Sequence, residues 1–347
     1  MSTTPASVPR LLTSQLVEHQ ARTGTERGEA TAGPAPSRRR TSPEAKNGWA
    51  TVDRMSSRAS IVIPAYNEES RIRGLLATLA DPSIRDAYDV YVVCNGCTDR
   101  TRQVAEEYAG VAVAEIESVG KYLALNEGDR LAGDVFPRLY CDADIRLSPS
   151  SITALVEALT TEEVKVAAPT VRYAVEKSTT MLKVYYRAVA LPIIARWNSG
   201  LPIGRGLYGA SRAARQRFDS FPALVADDLF FDSQFDATEK LILPDAVVEA
   251  WVPANLRQLI NGEVRVAAGN QQYRVAGNDP EDAARHAMVG HDRPASTLGD
   301  RFAALWGWRH ELRGGDVVPV LLYIVIRATA RTILAIKRVR GREISWR

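Results

Sequence analysis

Residues Tyr140-Cys141-Asp142-Ala143-Asp144 close an apolar run with two carboxylates one residue apart. Side chains alternate along a strand, so an extended backbone aims Asp142 and Asp144 the same way. Two carboxylates sharing a face repel, and the arrangement calls for a partner between them, either a cation or a ribose. A hard divalent metal carrying a diphosphate meets that need, which would make this a site for taking something from a nucleotide. A second acidic pair, Asp227-Asp228, stands where the dipole of a helix N-terminus would favour it.

The elements that must position these acids follow from hydrophobic spacing. Ser60-Ile61-Val62-Ile63-Pro64 is a continuous apolar strand, and Ile72, Leu75, Leu76 and Leu79 predict a helix over 68–80. A strand over 89–94, a helix over 99–109 capped by Thr98 or Asp99, a strand over 111–115, a helix over 121–131 and a strand over 138–141 come next. Strands alternating with helices, and apolar throughout, predict an α/β fold with a mostly parallel, Rossmann-like sheet flanked by helices. Ligands on such sheets sit beyond the carboxyl ends of the strands, and Asn67, Asn95, Asp142 and Asp144 all fall at such ends. After Pro149 the sequence predicts a helix over 151–159, a strand over 164–168 and one long helical stretch over 181–197. A glycine-rich turn at Gly204-Arg205-Gly206, a strand over 246–252 and a helical remainder follow.

The chain has 347 residues, 46% of them hydrophobic, and a net charge of +3. Residues 1–57 carry +3 and residues 327–347 carry +6, which leaves the body at −6. An acidic body argues against nucleic acid as a partner. The basic tail suits an anionic membrane surface or an acidic partner. Three cysteines predict a reducing compartment with no disulfide framework. No signal-peptide pattern opens the chain, and the apolar run Val317–Ile326 is short of the roughly 20 residues a span needs. The expectation is a cytoplasmic protein, with or without peripheral membrane contact. Residues 1–57, rich in Ser, Thr, Pro, Ala and Arg, predict a disordered tail. Over 317–342, Arg327, Arg331, Arg338 and Arg342 share one helical stripe, with Leu322, Val325, Ile326, Ile333, Ile336 and Val339 largely opposite. Such a helix either lies in a membrane interface or packs on the domain with its basic face in water.

Five segments in order resemble family 2 glycosyltransferases of the GT-A fold. Ile61-Val62-Ile63-Pro64-Ala65-Tyr66-Asn67-Glu68-Glu69 is similar to the family's opening strand and turn, and Val92–Asp99 to its second nucleotide-binding strand. Gly120-Lys121-Tyr122-Leu123-Ala124-Leu125-Asn126 resembles its third motif, Asp142-Ala143-Asp144 its DxD, and Asp227-Asp228 its acidic pair with the catalytic base. The resemblance implies a domain over 58–275 and a helical C-terminal extension over 276–347. It implies an inverting, metal-dependent transfer of a sugar from a nucleotide-diphosphate sugar to a glycan or lipid-linked acceptor in envelope polysaccharide or glycolipid assembly. Asp144 would ligate Mn2+ or Mg2+, with Asp142 facing the nucleoside. Pro64, Tyr66, Asn67, Glu68, Asn95, Asp99, Lys121 and Arg265 would contact the donor, and Gly204, Arg205 and Gly206 would line the acceptor side. Asp228 would be the base and Asp227 would orient it. The chain departs from the family at Cys94-Asn95, where an acid is usual, and at Asp227, where Glu is usual. Gln258-Leu259-Ile260-Asn261 lacks the Arg and Trp of the processive synthases, which disfavours a polymer synthase.

Cys94-Asn95-Gly96-Cys97 has a second reading, as a redox pair or half a zinc site with Cys141. Two alternatives to a transferase are a catalytically inactive nucleotide-sugar-binding or scaffold protein and a sugar-phosphate nucleotidyltransferase. Retention of Asp142, Asp144 and Asp228 argues against the first. The absence of an Arg- and Lys-bearing glycine loop after the first strand argues against the second.

Overall fold

The structure, a computed structural model, describes residues 59–82, 84–197, 203, 205–275, 307 and 309–340. The expected tail over 1–57, Gly204 and Arg342 lie outside the described residues. Strand β1 (Ala59–Ala65) is buried along its whole length, as its apolar run requires. It pairs in parallel with β2 (Tyr88–Asn95) on one side and β4 (Arg138–Cys141) on the other, and β3 (Val111–Ile116) continues in parallel beyond β2.

The side chains of β1 alternate between two cores. Ile61 and Ile63 pack with Leu75, Leu76 and Leu79 of α1 (Ile72–Leu79), Val104 and Ala105 of α2 (Thr101–Glu106), and Ile152 and Leu155 of α4 (Pro149–Leu159). Val62 packs with Leu125 of α3 (Lys121–Ala132), Tyr140, Tyr208 and the aromatic group Phe218, Phe221 and Phe231. The period of two along the strand therefore sorts the helices onto opposite faces.

The full sheet runs β3-β2-β1-β4-β7-β6-β8-β5. Strand β7 (Leu207–Ala210) is antiparallel to both β4 and β6 (Val166–Tyr173). Strand β8 (Lys240–Ala250) is parallel to β6, and β5 (Ile145–Leu147) closes the edge antiparallel to β8. The expected parallel arrangement holds for β1–β4, and the sheet as a whole is mixed. The chain moves outward from β1 through β2 to β3, then returns to place β4 on the other side of β1. A crevice opens at such a switch point, beyond the carboxyl ends of the strands.

Three sequence expectations need correction. Asp142 and Asp144 are not on a strand: β4 ends at Cys141, and residues 142–144 form the turn into β5. The stretch expected as one helix over 181–197 is two, α5 (Thr180–Val189) and α6 (Pro192–Trp197). Pro192 explains the break, because proline disfavours helical backbone at the residue before it. The C-terminal helix α10 (Val317–Val339) packs on α9 (Leu256–Val275) and α5 through Val320, Tyr323, Ile326, Ala330 and Leu334. Arg327 turns inward with that face and pairs with Glu263 at 2.8 Å. The outward side of α10 carries Val318, Leu321, Val325, Ile336 and Val339, all exposed.

Behind the sheet, Arg138 at the start of β4 is 1% exposed. Its guanidinium donates to the Asp129 carboxylate, to Ser60 Oγ (2.6 Å) and to the Gly133 carbonyl (2.7 Å). Asp129 also accepts from Tyr140 (2.9 Å) and from Arg215 (2.8 Å) of α7 (Arg212–Arg215). One carboxylate thus joins the end of α3 to β4 and α7. Asp129→Ala leaves two guanidinium groups without their shared anion, and we expect a loss of about 3–5 kcal/mol, read from urea unfolding.

Candidate active site

The turn after β1 and the loop after β2 are laced together by side chains. The backbone N–H groups of Asn67, Glu68 and Glu69 donate to Cys97 Sγ (3.5 Å), Thr101 Oγ1 (2.8 Å) and Asp99 Oδ2 (3.2 Å). Asn67 Oδ1 accepts from the Thr98 N–H at 2.7 Å, with Asn67 itself at φ 54°. These three backbone N–H groups are thus taken up within the protein. Pro64 lies within buried β1 and does not line the crevice. Asn95 is 0% exposed; its amide donates to the Ala65 carbonyl (2.9 Å) and accepts from the Gly120 N–H (3.1 Å). It clamps β1 to the start of α3 rather than reaching a base. Burial pushes the Asp99 carboxyl up, but hydrogen bonds from Thr101 and Glu69 outweigh it and hold the group below its ordinary range.

Tyr66, Asn67 and Glu68 remain at least partly exposed on this side. Burial, followed by the charge of Asp144, pushes Glu68 up to about 7 despite Arg71 beside it. Asp144 is itself raised by burial and by Asp142. The two aspartates still feel each other across the turn, so the repulsion anticipated for a strand survives in a different geometry.

Lys121, the first residue of α3, joins the two acidic pairs. Its Nζ lies 2.9 Å from Asp142 Oδ1 and 2.9 Å from Asp227 Oδ2. Burial alone would lower the ammonium pKa; the two carboxylates override it and hold the group well above its ordinary value. The contact to Asp227 is an ion pair by distance, yet Oδ2 has no aligned hydrogen-bond donor, and the buried hydroxyl of Tyr208 nearby also has none. Burial pushes Asp227 up to about 6, with Lys121 pulling against it and Asp228 adding to it.

Asp228 differs from its neighbour. It is only partly exposed and accepts from the Leu229 N–H at 2.8 Å, at the start of α8 (Asp227–Ser233). Burial raises its carboxyl, and the charges of Lys121 and Arg205 oppose the rise. Arg205 donates to Tyr173 at 3.2 Å. Gly206 follows it with φ 66°, and its carbonyl accepts from the Asp142 N–H at 2.7 Å. That backbone region favours glycine, and the bond ties the expected acceptor loop to the first acidic turn. Arg265 sits exposed on α9 with no ion pair among the described residues.

Three residues outside the expected set hold the second acidic pair in place. Asn126 of α3 brackets Phe221, donating to its carbonyl (2.9 Å) and accepting from its N–H (2.8 Å). Gln272 of α9 accepts from the Val225 N–H at 3.0 Å. At Gly269 an added Cβ would meet the Ala226 nitrogen at 3.2 Å, so α9 closes directly on the turn before Asp227. Asn126 falls in the segment that resembles the family's third motif, whereas Gln272 carries no such signal.

The mixed α/β sheet, with acidic turns converging at its switch point, has the architecture of the GT-A fold. Residues 60–219 match the model of glycosyl transferase family 2. An undecaprenyl-phosphate 4-deoxy-4-formamido-L-arabinose transferase of Edwardsiella ictaluri (strain 93-146) is 33% identical over 108 residues, covering 28% of this chain and 33% of the relative. Its counterpart in Pseudomonas fluorescens (strain Pf0-1) is 36% identical over 106 residues, covering 28% of this chain and 31% of the relative. The match thus spans about a third of these curated relatives. The solved structure of mannosyltransferase PcManGT from Pyrobaculum calidifontis, in complex with GDP-Man and Mn2+, has the same fold. Its TM-score is 0.56 at 20% identity, covering 82% of this chain and 88% of that one.

Lys121→Met removes the cation 2.9 Å from Asp227, the only one paired with it among the described residues. A carboxyl raised on folding costs stability as pH climbs from its unfolded value through its folded one. In the wild type that cost is complete slightly above pH 6, given Asp227 at about 6. In the variant the carboxyl rises further, so the deficit relative to wild type widens with increasing pH and reaches about 3 kcal/mol. Urea midpoints at pH 5 and pH 8 check the sign.

Proposed function

We propose that this chain is an inverting glycosyltransferase that moves a sugar from a nucleotide-diphosphate sugar to an acceptor hydroxyl of a glycan or lipid-linked intermediate. The observation that carries the reading is the Lys121 bridge, because it brings the DxD turn and the second acidic pair into one crevice. Tyr66, Asn67 and Glu68 are placed to face the donor, with Asp142 toward the nucleoside. Asp228 takes the proton from the acceptor oxygen as it attacks the anomeric carbon opposite the diphosphate, a single displacement that inverts configuration. Asp227, buried and committed to Lys121, orients its neighbour. Arg205 and Gly206 flank the acceptor side.

The donor set suits a hard divalent cation. Asp144 is desolvated and raised, with the Asp142 charge adding to the rise, and Lys121 is committed to Asp142 and Asp227. Among the described residues no third carboxylate, thiol or imidazole joins the two aspartates. Asp144 and Asp142 would therefore hold Mn2+ or Mg2+ with phosphate oxygens and water as the remaining ligands. When bound, such an ion neutralises the charge that grows on the departing diphosphate.

The curated relatives are named for undecaprenyl phosphate, and the outward apolar stripe of α10 supports a lipid-linked acceptor met at a cytoplasmic membrane face. The span Gly314–Val339 is long and apolar enough to cross a membrane. Its inner face, however, is tied to α9 and α5 through Leu334, Tyr323 and the Arg327–Glu263 pair, which favours lying on the surface.

Asp228→Asn should lower kcat/KM by about 10²–10⁴ while thermal shifts with UDP-, GDP- and dTDP-sugars and Mn2+ stay as in wild type. Full transfer by this variant would place the base elsewhere. Because both acids are raised, the acid limb of the wild-type pH profile belongs to the pair and lies above the ordinary aspartate range. For the membrane contact, Leu321→Asp with Val325→Asp should abolish sedimentation with anionic vesicles, and retained binding would sink that assignment.

A further inference from the structure

Cys94 and Cys97 take no part in the transfer described above, yet they lie directly beneath the donor-side turn. Cys94 is the last but one residue of β2 and 0% exposed. Cys97 follows the Asn95-Gly96 turn, is partly exposed, and packs against the apolar cluster that contains Cys94. Its Sγ donates to the Ala65 carbonyl at 3.4 Å and accepts from the Asn67 N–H at 3.5 Å. One sulfur thus holds both sides of Tyr66. The two thiols also bias each other: interaction with Cys94 pulls Cys97 down to about 7, and Cys94 is pushed up. Cys141, by contrast, is buried, and burial together with Asp142 and Asp144 pushes its thiol up. Thiolate character and access govern reactivity, and only Cys97 has both.

We propose that Cys94 and Cys97 form a thiol–disulfide exchange site for low-molecular-weight disulfides, and that closing the bond releases the Ala65–Glu68 turn and weakens nucleotide binding. Its consequence rests on the donor-site assignment above; its chemistry does not. The Cys97 thiolate attacks one sulfur of a small disulfide RS–SR, forming a mixed disulfide and expelling RS⁻. Cys94 then gives up its proton and attacks Cys97 Sγ, forming the intramolecular disulfide and expelling the second RS⁻. The two cysteine protons end on the two RS⁻ groups as RSH, and two electrons pass from the cysteines to the small disulfide. Sγ of Cys97 is then drawn toward the buried Cys94 and gives up its bonds to Ala65 and Asn67.

The test incubates the full chain with oxidised glutathione and maps its thiols by mass spectrometry. Amide exchange over 65–69 and calorimetric binding of UDP and GDP with Mn2+ are measured before oxidation, after it, and after dithiothreitol. We expect glutathione first on Cys97, then a Cys94–Cys97 bond with Cys141 still reduced. Exchange over 65–69 should quicken and affinity fall about tenfold, the scale of one lost hydrogen bond, with both restored by reductant. Cys94→Ala, which keeps the Cys97 bonds to Ala65 and Asn67, should bind in the reduced state as wild type does and stop at the Cys97–glutathione adduct with no intramolecular bond. Modification of Cys141 as fast as Cys97, or a disulfide that leaves exchange over 65–69 unchanged, overturns the proposal. Reduced protein that binds neither nucleotide would instead refute the donor-site assignment, and the thiol map and amide exchange would still decide the exchange site.

Discussion

An ammonium group held 2.9 Å from each of two carboxylates is the contact on which this site depends. Desolvating three charges is costly, and a buried ion cluster persists only when its geometry is enforced from outside. Each member here has its own constraint. Asn95 fixes Gly120, and so the start of α3 that carries Lys121. The Gly206 carbonyl fixes the Asp142 backbone. Asn126 and Gln272 fix the segment that delivers Asp227. Four strands and three helices thereby converge on one cation, and the acidic turns cannot drift apart without leaving a charge unpaired.

The same cation separates the surroundings of Asp227 and Asp228. Both carboxyls are raised by burial, but only Asp227 is in contact with Lys121. Asp228 is left with one oxygen on its own helix N-terminus and a partly exposed position, the combination a proton acceptor needs. Two adjacent residues of the same type acquire different partners and exposure because a helix start points them in different directions, and the proposed roles rest on that difference.

The C-terminal helix shows the limit of reading amphipathicity from arginines. At about 100° per residue the basic stripe looked like the solvent face. Arg327 instead turns inward, because Glu263 and the ring of Tyr323 offer it a partner and a surface. The long stem of arginine is apolar and can be buried when its head is satisfied. Removing Arg327 from the outer face leaves Val318, Leu321 and Val325 uncovered.

The sequence by itself determined the strand–helix order from β1 to β4, the sorting of side chains onto two faces, and the acidic turns at strand ends. These follow from local periodicity, from turn residues and from motifs whose spacing is internal to one segment. The tertiary structure alone decided that Asn95 and the backbone of Asn67–Glu69 serve the fold, that Lys121 spans both acidic pairs, and that Gln272 and Gly269 seat the second pair. It also decided that β7 runs antiparallel between β4 and β6, whereas the break at Pro192 was legible as a proline. For the side chains one physical reason holds. A polar side chain has a fixed number of hydrogen-bond sites, and which of them remain open for a ligand depends on partners distant in the chain, which no local pattern records.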